Sequence, residues 1–497
     1  MENQKQKKIS LTALILMTFT TIYGFANTTV AYEQMGYASI FWYILAALLF
    51  FLPSALMFAE YGSAFKEAKG GIYSWLAGSI GEKWAFIGTF IWLSSWIIWM
   101  VSTASKVWIP FSTVIFGSDQ TQTWHFLSLT STETVALLGI AWIILVTFLA
   151  SHGMSSIAKI SSVGGVFVML LTVIFALTSI VILFANHGQL AQPITGVESF
   201  IKSPNPDFTS PVALISFVVY AVFAYAGSET MGGITDSLHK PEKTFPKGLI
   251  ISTVVIGICY SLSIFLWGIS TNWHQVLGNQ SVNLGNITYV LMDNLGLVLG
   301  NSLGLTAATA ATIGHLFARF AGLSMFMAYM GSFFILIYSP LKSFVLGSSA
   351  DLWPARMTKR NKHGMPAFSM WIQAVVVGFI IFIVAFGGSG AQKFYLILTD
   401  MGNISTTFPY LFLVAAFPFF KKRTDLERPF EIFTNKKLTM TITVLVMIVL
   451  VGGIGFTGIQ PIMDHDYQTA LYTILGPFIF GGIAWWFYAS AMRRRTK

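Results

Sequence analysis

Thr21-Ile22-Tyr23-Gly24-Phe25-Ala26-Asn27 interrupts an apolar run that begins near residue 9, and Phe223-Ala224-Tyr225-Ala226-Gly227-Ser228-Glu229 interrupts another that begins near residue 210. Each puts glycine and small polar residues near the middle of a segment otherwise apolar enough to cross a bilayer. A break in a membrane helix frees N–H and C=O groups that hydrocarbon cannot satisfy. Such breaks persist where a ligand or a water-filled cavity satisfies them, and paired breaks in two halves of a chain point to the central site of a transporter. Glycine also serves close helix packing alone, and the two stretches by themselves leave both readings open.

Working outward, the composition agrees with a membrane setting. Of 497 residues, 55% are hydrophobic, 15% aromatic and only 10% charged, where a soluble protein has about 25% charged residues. A crossing takes about 20 apolar residues. The apolar runs give an all-α polytopic protein of twelve transmembrane helices, at roughly 9–31, 38–60, 85–116, 134–151, 160–186, 210–232, 248–270, 312–339, 367–386, 394–419, 438–458 and 469–491. No segment is left for a separate soluble domain, so a cytosolic enzyme, a secreted protein and a disordered tail are excluded. The outer loop 271–311 is mildly apolar, and short helices lying on the outer face are expected there. The single cysteine, Cys259, excludes an intrachain disulfide.

The formal charge of +9 suggests nucleic acid until the charges are placed. With the N-terminus in the cytoplasm, 25 of the 29 Lys and Arg fall on inner segments, from Lys5, Lys7 and Lys8 through Lys342 to Arg493, Arg494, Arg495 and Lys497. Lys202 and Lys393 fall outside, and Lys106 and Arg319 within helices. This asymmetry places both termini in the cytoplasm by the positive-inside rule. The basic charge is then a topology signal with some attraction to anionic lipid, and the partners expected are the lipid bilayer and a small molecule, with no nucleic acid. The first run follows three lysines but has no small-residue cleavage site after it, so it reads as a retained helix.

Longer motifs carry a family resemblance. Phe51-Leu-Pro-Ser-Ala-Leu-Met-Phe-Ala-Glu60-Tyr-Gly-Ser-Ala-Phe-Lys-Glu-Ala-Lys-Gly70-Gly71-Ile-Tyr73-Ser-Trp75 resembles the second-helix signature of the amino acid–polyamine–organocation (APC) permeases. Phe223 to Glu229, followed by Lys240-Pro241-Glu-Lys243-Thr-Phe-Pro246, resembles that family's sixth helix and its basic, proline-punctuated loop. Ser339-Pro340-Leu341-Lys342, Leu352-Trp-Pro354 and Asn361-Lys-His-Gly364-Met-Pro366 resemble its connection between the eighth and ninth helices. The match runs in register from about residue 9 to 430, and is nearest to the glutamate/GABA antiporter branch and its YjeM-like bacterial permeases.

The resemblance implies a LeuT-like fold. Residues 1–186 would form one five-helix repeat, 210–420 an inverted second, and 438–491 two added helices. It implies secondary transport of amino acids or their amine derivatives by alternating access across the bacterial inner membrane, with no cofactor and no metal. A homodimer is allowed but not required. The substrate would lie between the broken helices, its carboxylate on N–H groups at a half-helix N-terminus and its amino group on freed carbonyls. Counted back from Gly36, the family's Gly-Ser-Gly falls on Ile22, Tyr23 and Gly24, while Gly24-Phe25-Ala26 is the other register. Either way a bulky residue stands where small ones are usual. On the sixth helix Phe223, Ala224, Tyr225, Ala226 and Gly227 line the expected site. Phe223 falls where the family carries an aromatic that closes over the substrate, although a lone phenylalanine more often packs in a core. Glu229 would couple the substrate-induced change to the bundle, or else stand as a permanently paired structural carboxyl.

Some members of the wider family have a lysine mid-way along the fifth helix that replaces a sodium ion. The run from Val163 to Leu183 contains none, which favours exchange of one amino compound for another over proton symport. An enzyme needs a nucleophile with a base, or metal ligands. Of eight histidines only His315 lies clearly within a helix, and no H-E-x-x-H occurs. A channel would show a ring of like polar residues instead of two broken helices. Arg319 and Asp400 fall at similar depth in the outer halves of the eighth and tenth helices, and are expected to pair when an outer gate closes. Separate snorkelling of each to the surface, or binding of a substrate carboxylate by Arg319, are the rivals.

Overall fold

The computed structural model describes residues 8–278, 282, 284–388 and 407–495. Among these, eleven helices are long and apolar enough to cross a membrane. They are α1 (Leu11–Met35), α2 (Ala38–Ala64), α3 (Glu82–Phe116), α4 (Ser131–Ala150), α5 (Met154–Ala185), α6 (Pro211–Ser237), α7 (Pro241–Ser270), α8 (Ala307–Val345) and α9 (Ala367–Phe386), with α11 (Lys436–Met463) and α12 (Tyr467–Arg495). The tenth expected helix falls partly on residues outside the described set, and its described part is α10 (Phe408–Lys422).

Several helices outrun the apolar segments that betray them. The apolar run of α7 starts near residue 248, but the helix begins at Pro241. A proline in the first turn has no N–H to leave orphaned and is preset in φ, and charged turns beyond the hydrocarbon cost a helix little. Within α2, residues Ala47–Phe51 form a π-turn just before Pro53. A proline ring inside a helix crowds the carbonyl four residues back, and a widened turn absorbs that crowding.

The centre of the molecule is built on close backbone approach. A Cβ at Gly165 of α5 would stand 2.3 Å from the Leu16 carbonyl of α1, and one at Gly164 would stand 2.6 Å from the Met327 carbonyl of α8. Glycine alone lets these three helices meet.

The face at which α1 starts is held together by backbone and charge. The Ile9 N–H donates to the Ser237 carbonyl at 2.9 Å, and the Ile9 carbonyl accepts from the His239 N–H at 3.0 Å. Beside them Lys342 of α8, 2% exposed, pairs with Asp236 at 2.5 Å, and Lys8 donates to the Asp236 carbonyl at 2.7 Å. Glu60 of α2, fully buried, accepts from Lys421 of α10 at 2.8 Å and from the Ile432 and Phe433 amides at 2.8 and 2.7 Å. In the adjoining loop Arg423 holds the exposed Asp425 carboxyl down at about 2. The hydrogen bond from Lys421 lowers Glu431 below the usual carboxylate range. At the opposite face the loop expected to hold short helices does so. Ile287–Ser302 is helical, and Thr288 bonds Thr29 of α1 at 3.0 Å.

Candidate functional site: the paired helix breaks

Both interrupted stretches are breaks in the folded protein. In α1 the helix stops at Ile22 and restarts at Phe25. Tyr23 (φ −75°, ψ 102°) and Gly24 (φ −90°, ψ 103°) between them are extended. In α6 the α-helix stops at Phe223, and the chain turns through Ala224–Gly227 and continues as a 3₁₀ helix over Ser228–Ser237. Gly227 has φ +124°, a left-handed conformation that L side chains rarely adopt. The breaks face one another: a Cβ at Gly227 would lie 3.4 Å from Ile22 Cγ1 and 3.7 Å from the Thr21 carbonyl.

A tyrosine of α7 stands between them. The Tyr260 hydroxyl accepts from the Gly24 N–H at 2.9 Å and from Asn27 Nδ2 at 3.2 Å. It also lies 3.1 Å from the Ile22 carbonyl and 3.2 Å from the Ala224 carbonyl. Its ring is fully buried and is caged by Tyr23, Tyr43 and Tyr225, with ring centroids 4.8, 5.1 and 5.1 Å away. The Tyr220 hydroxyl donates to Asn27 Oδ1 at 3.3 Å. Around the point where the freed groups of α1 and α6 converge, Gly24, Asn27 and Ala224 are only half-buried.

Glu229 is the second hub. One carboxyl oxygen accepts from the Trp92 indole N–H of α3 at 3.2 Å. The other accepts from the Gly227 N–H at 3.0 Å and from the Tyr410 hydroxyl of α10. The Gly227 N–H also reaches the Tyr410 oxygen at 3.0 Å. A buried carboxyl with three donors ties the α6 break to two helices on which neither break lies.

The remaining expected residues divide. Tyr23 belongs to the cluster: its ring lies 4.6 Å from Phe19 and its hydroxyl 3.0 Å from Ser263. Tyr225 is buried, with its hydroxyl donating to the Tyr43 carbonyl at 3.2 Å. Phe25 turns away into the core, edge-on to Phe175 and Trp267 with centroids 5.6 and 5.7 Å away. Phe223 points at α11, where a Cβ on Gly453 would stand 3.4 Å from its ring. Ala226 is half-buried beside the turn. Arg319 is exposed and donates to the Val114 carbonyl at 3.3 Å, at the last turn of α3. Its expected partner Asp400 lies outside the described residues. His315, one turn from Arg319, bonds Asp293 at 3.0 Å.

A cavity of about 630 Å³ between α2 and α7 is lined by exposed apolar side chains such as Leu48, Ile258 and Leu262. None of the residues of the two breaks lines it.

Comparison with known proteins places this geometry in context. The family model described as amino acid permease matches residues 9–482. The inner membrane transporter YjeM of Salmonella typhimurium (strain LT2) is 52% identical over 491 residues, spanning 99% of this chain and 97% of that protein. The aspartate/glutamate permease AcaP of Lactococcus lactis subsp. cremoris is 23% identical over 441 residues, 87% of this chain and 84% of that protein. A glutamate/gamma-aminobutyrate antiporter of Lactococcus lactis subsp. lactis is 23% identical over 460 residues, 91% of this chain and 82% of that protein.

Proposed function

The chain belongs to the amino acid permease family of the APC superfamily, and from that premise we propose that it carries an amino acid, or the amine derived from one, by exchange across the bacterial cytoplasmic membrane. The observation that carries the site is convergence. The Gly24 N–H, the Ile22 and Ala224 carbonyls and the Asn27 amide meet at one point. Two donors beside two acceptors form the complement of a carboxylate next to an ammonium group. Ile22, Tyr23, Gly24, Ala224, Tyr225, Ala226 and Gly227 surround that point, and Glu229 transmits its occupancy to α3 and α10 through Trp92 and Tyr410.

Exchange is favoured over proton symport because the span Val163–Leu183 offers no lysine. The names of the two more distant relatives direct attention to acidic amino acids and gamma-aminobutyrate. In this reading α1–α5 and α6–α10 are the two inverted repeats and both termini are cytoplasmic.

Counterflow in proteoliposomes tests the function. Purified protein is loaded with unlabelled glutamate, aspartate, gamma-aminobutyrate, glutamine, arginine, lysine or leucine in turn, and entry of the same labelled compound is followed. Saturable entry that depends on internal substrate supports exchange. Entry driven by an imposed pH gradient without internal substrate would move the assignment to symport. Single cysteines at Lys362 and Leu303 in a Cys259→Ser background test orientation: in intact cells an impermeant maleimide should reach only the second.

A further inference from the structure

A hydroxyl has one proton and two lone pairs. The Tyr260 oxygen uses both lone pairs, on Gly24 N–H and Asn27 Nδ2, and divides its single proton between the Ile22 and Ala224 carbonyls at 3.1 and 3.2 Å. Four groups at the α1 break and at the end of the α6 helix are thus satisfied from inside the chain, through one atom. We propose that Tyr260 is a resident stand-in for the substrate, and that it lets the carrier reset across the membrane without cargo. The inference rests on the transport reading above and extends it: exchange is the fast mode, and net flux accompanies it.

Three observations carry this. First, the groups that Tyr260 holds are those a zwitterion needs. An ammonium brings a separate proton to each carbonyl and a carboxylate brings a full charge to the amides, so a substrate makes stronger hydrogen bonds than the phenol and displaces it. Second, all four of these contacts lie within α1, α6 and α7. Movement of those helices against α3, α8 and α10 leaves these four whole, so the groups that Tyr260 holds stay paired while the breaks pass through their most enclosed arrangement, although the Thr20 carbonyl is held from α8 by Ser332 and the Gly227 amide from α10 by Tyr410. Without such a partner, a carrier lacking cargo would have to expose bare N–H and C=O groups to a medium of low dielectric. Third, the ring is held by three tyrosines, so the hydroxyl is positioned in advance and pays little ordering entropy, while Gly24, Asn27 and Ala224 remain half-buried and approachable.

The test is Tyr260→Phe, which keeps the ring and removes the oxygen. Wild type and variant are compared in proteoliposomes loaded with radiolabelled glutamate, or with whichever amino acid of the screen above exchanges fastest. Efflux is measured into buffer alone (net flux) and into buffer containing the unlabelled compound (exchange). For wild type, net flux within about tenfold of exchange is expected. In Tyr260→Phe, net flux should fall by about tenfold or more, the factor that an unpaired buried group imposes. Exchange, in which the substrate itself supplies partners to these groups, should fall less, so that the ratio of net flux to exchange drops at least about tenfold, with a lower KM for exchange because no hydroxyl competes for the site. A merely structural tyrosine would depress both fluxes together and leave their ratio unchanged, and that result overturns the proposal. Should the variant fail to fold, the wild-type arm decides by itself: net flux below about one-hundredth of exchange removes the stand-in. Absence of any exchange in wild type removes the transport reading, whereas intact exchange with an unchanged ratio removes only this inference.

Discussion

The α1 break is two extended residues at which the Gly24 N–H and the preceding Ile22 carbonyl turn to one hydroxyl of α7, whereas the α6 break is a left-handed turn at Gly227 whose amide turns to Glu229 and to Tyr410 of α10. Both solve the same problem, the freed backbone groups of a helix interrupted inside a membrane. They solve it with different reach. At the α1 break the Gly24 N–H and the Ile22 carbonyl are answered within α1, α6 and α7, by bonds that a ligand can replace one for one, while the Thr20 carbonyl one turn back takes a hydrogen bond from Ser332 of α8 at 2.8 Å. The α6 break is answered by a carboxyl that also binds α3 and α10, so disturbing it disturbs the contact between two sets of helices. One break is built to be exchanged and the other to transmit.

The sharpest way to break this comparison is at Glu229. Glu229→Ala strands the Trp92 indole and the Tyr410 hydroxyl proton and leaves the Gly227 amide with the Tyr410 oxygen alone. At about 1–3 kcal/mol for each unsatisfied buried group, less what relaxation recovers, a loss of about 3 kcal/mol or more is expected. Transport should fall more than about 100-fold, with a lower melting temperature in detergent. If uptake persists near wild type, the α6 break does not transmit through this carboxyl.

The glycines come next. Gly227 holds φ +124°, so even alanine is strained there, by about 1–3 kcal/mol. Gly24 has an ordinary extended backbone. Its obstacle is the end of the Asn27 side chain, 2.8 Å from an added Cβ, and a side-chain end can give way. Gly227→Ala should therefore cost at least about tenfold in transport, and Gly24→Ala only a few-fold, because the first meets backbone strain and the second a movable amide. Equal losses would show that steric crowding of the site, not conformation, governs both. Trp92→Phe is milder still. It removes one donor of three from Glu229 and should cost about 1 kcal/mol, seen as a roughly fivefold drop in maximal rate with KM little changed.

The fold was legible because glycine and polar residues stand out against an apolar run. The breaks were legible for the same reason: Tyr23-Gly24 and Gly227 lie within the two stretches that sequence singles out. Which side chains face the site was harder to read. A helix keeps phase at 3.6 residues per turn, but two extended residues reset it, so Phe25 beyond the break cannot be assigned a face by counting, and it is found in the core. Phe223 sits before its break yet is drawn to Gly453 of α11, a partner more than 200 positions away that no local pattern reveals. Tyr260 was missed altogether. It is one of 17 tyrosines, in an unremarkable apolar run, and only the meeting of three helices gives its hydroxyl a role. Lys342 reads as one more charge at a helix end. Its burial against Asp236 follows from α1, α6 and α8 meeting there, which is again tertiary.

The smallest expected effect sharpens the comparison most. Tyr23 and Tyr260 are neighbours with rings 4.8 Å apart, both buried, and each has a hydroxyl with a partner. They differ in what the hydroxyl holds. That of Tyr23 meets the Ser263 side chain of α7 at 3.0 Å, a bond between two side chains outside the freed backbone groups. Tyr23→Phe leaves one serine hydroxyl, which can turn to a carbonyl of its own helix as serines in membrane helices do. The expected cost is about 0.5–1 kcal/mol of stability, with net flux and exchange both within about threefold of wild type and their ratio unchanged. The same deletion of one oxygen at Tyr260 should move that ratio at least about tenfold. Two phenols in one aromatic cage, differing only in whether they answer the broken backbone, thus separate packing from function. If Tyr23→Phe shifts the ratio as far as Tyr260→Phe, the cage as a whole sets the balance of net flux and exchange, and the distinction drawn between the two hydroxyls is lost.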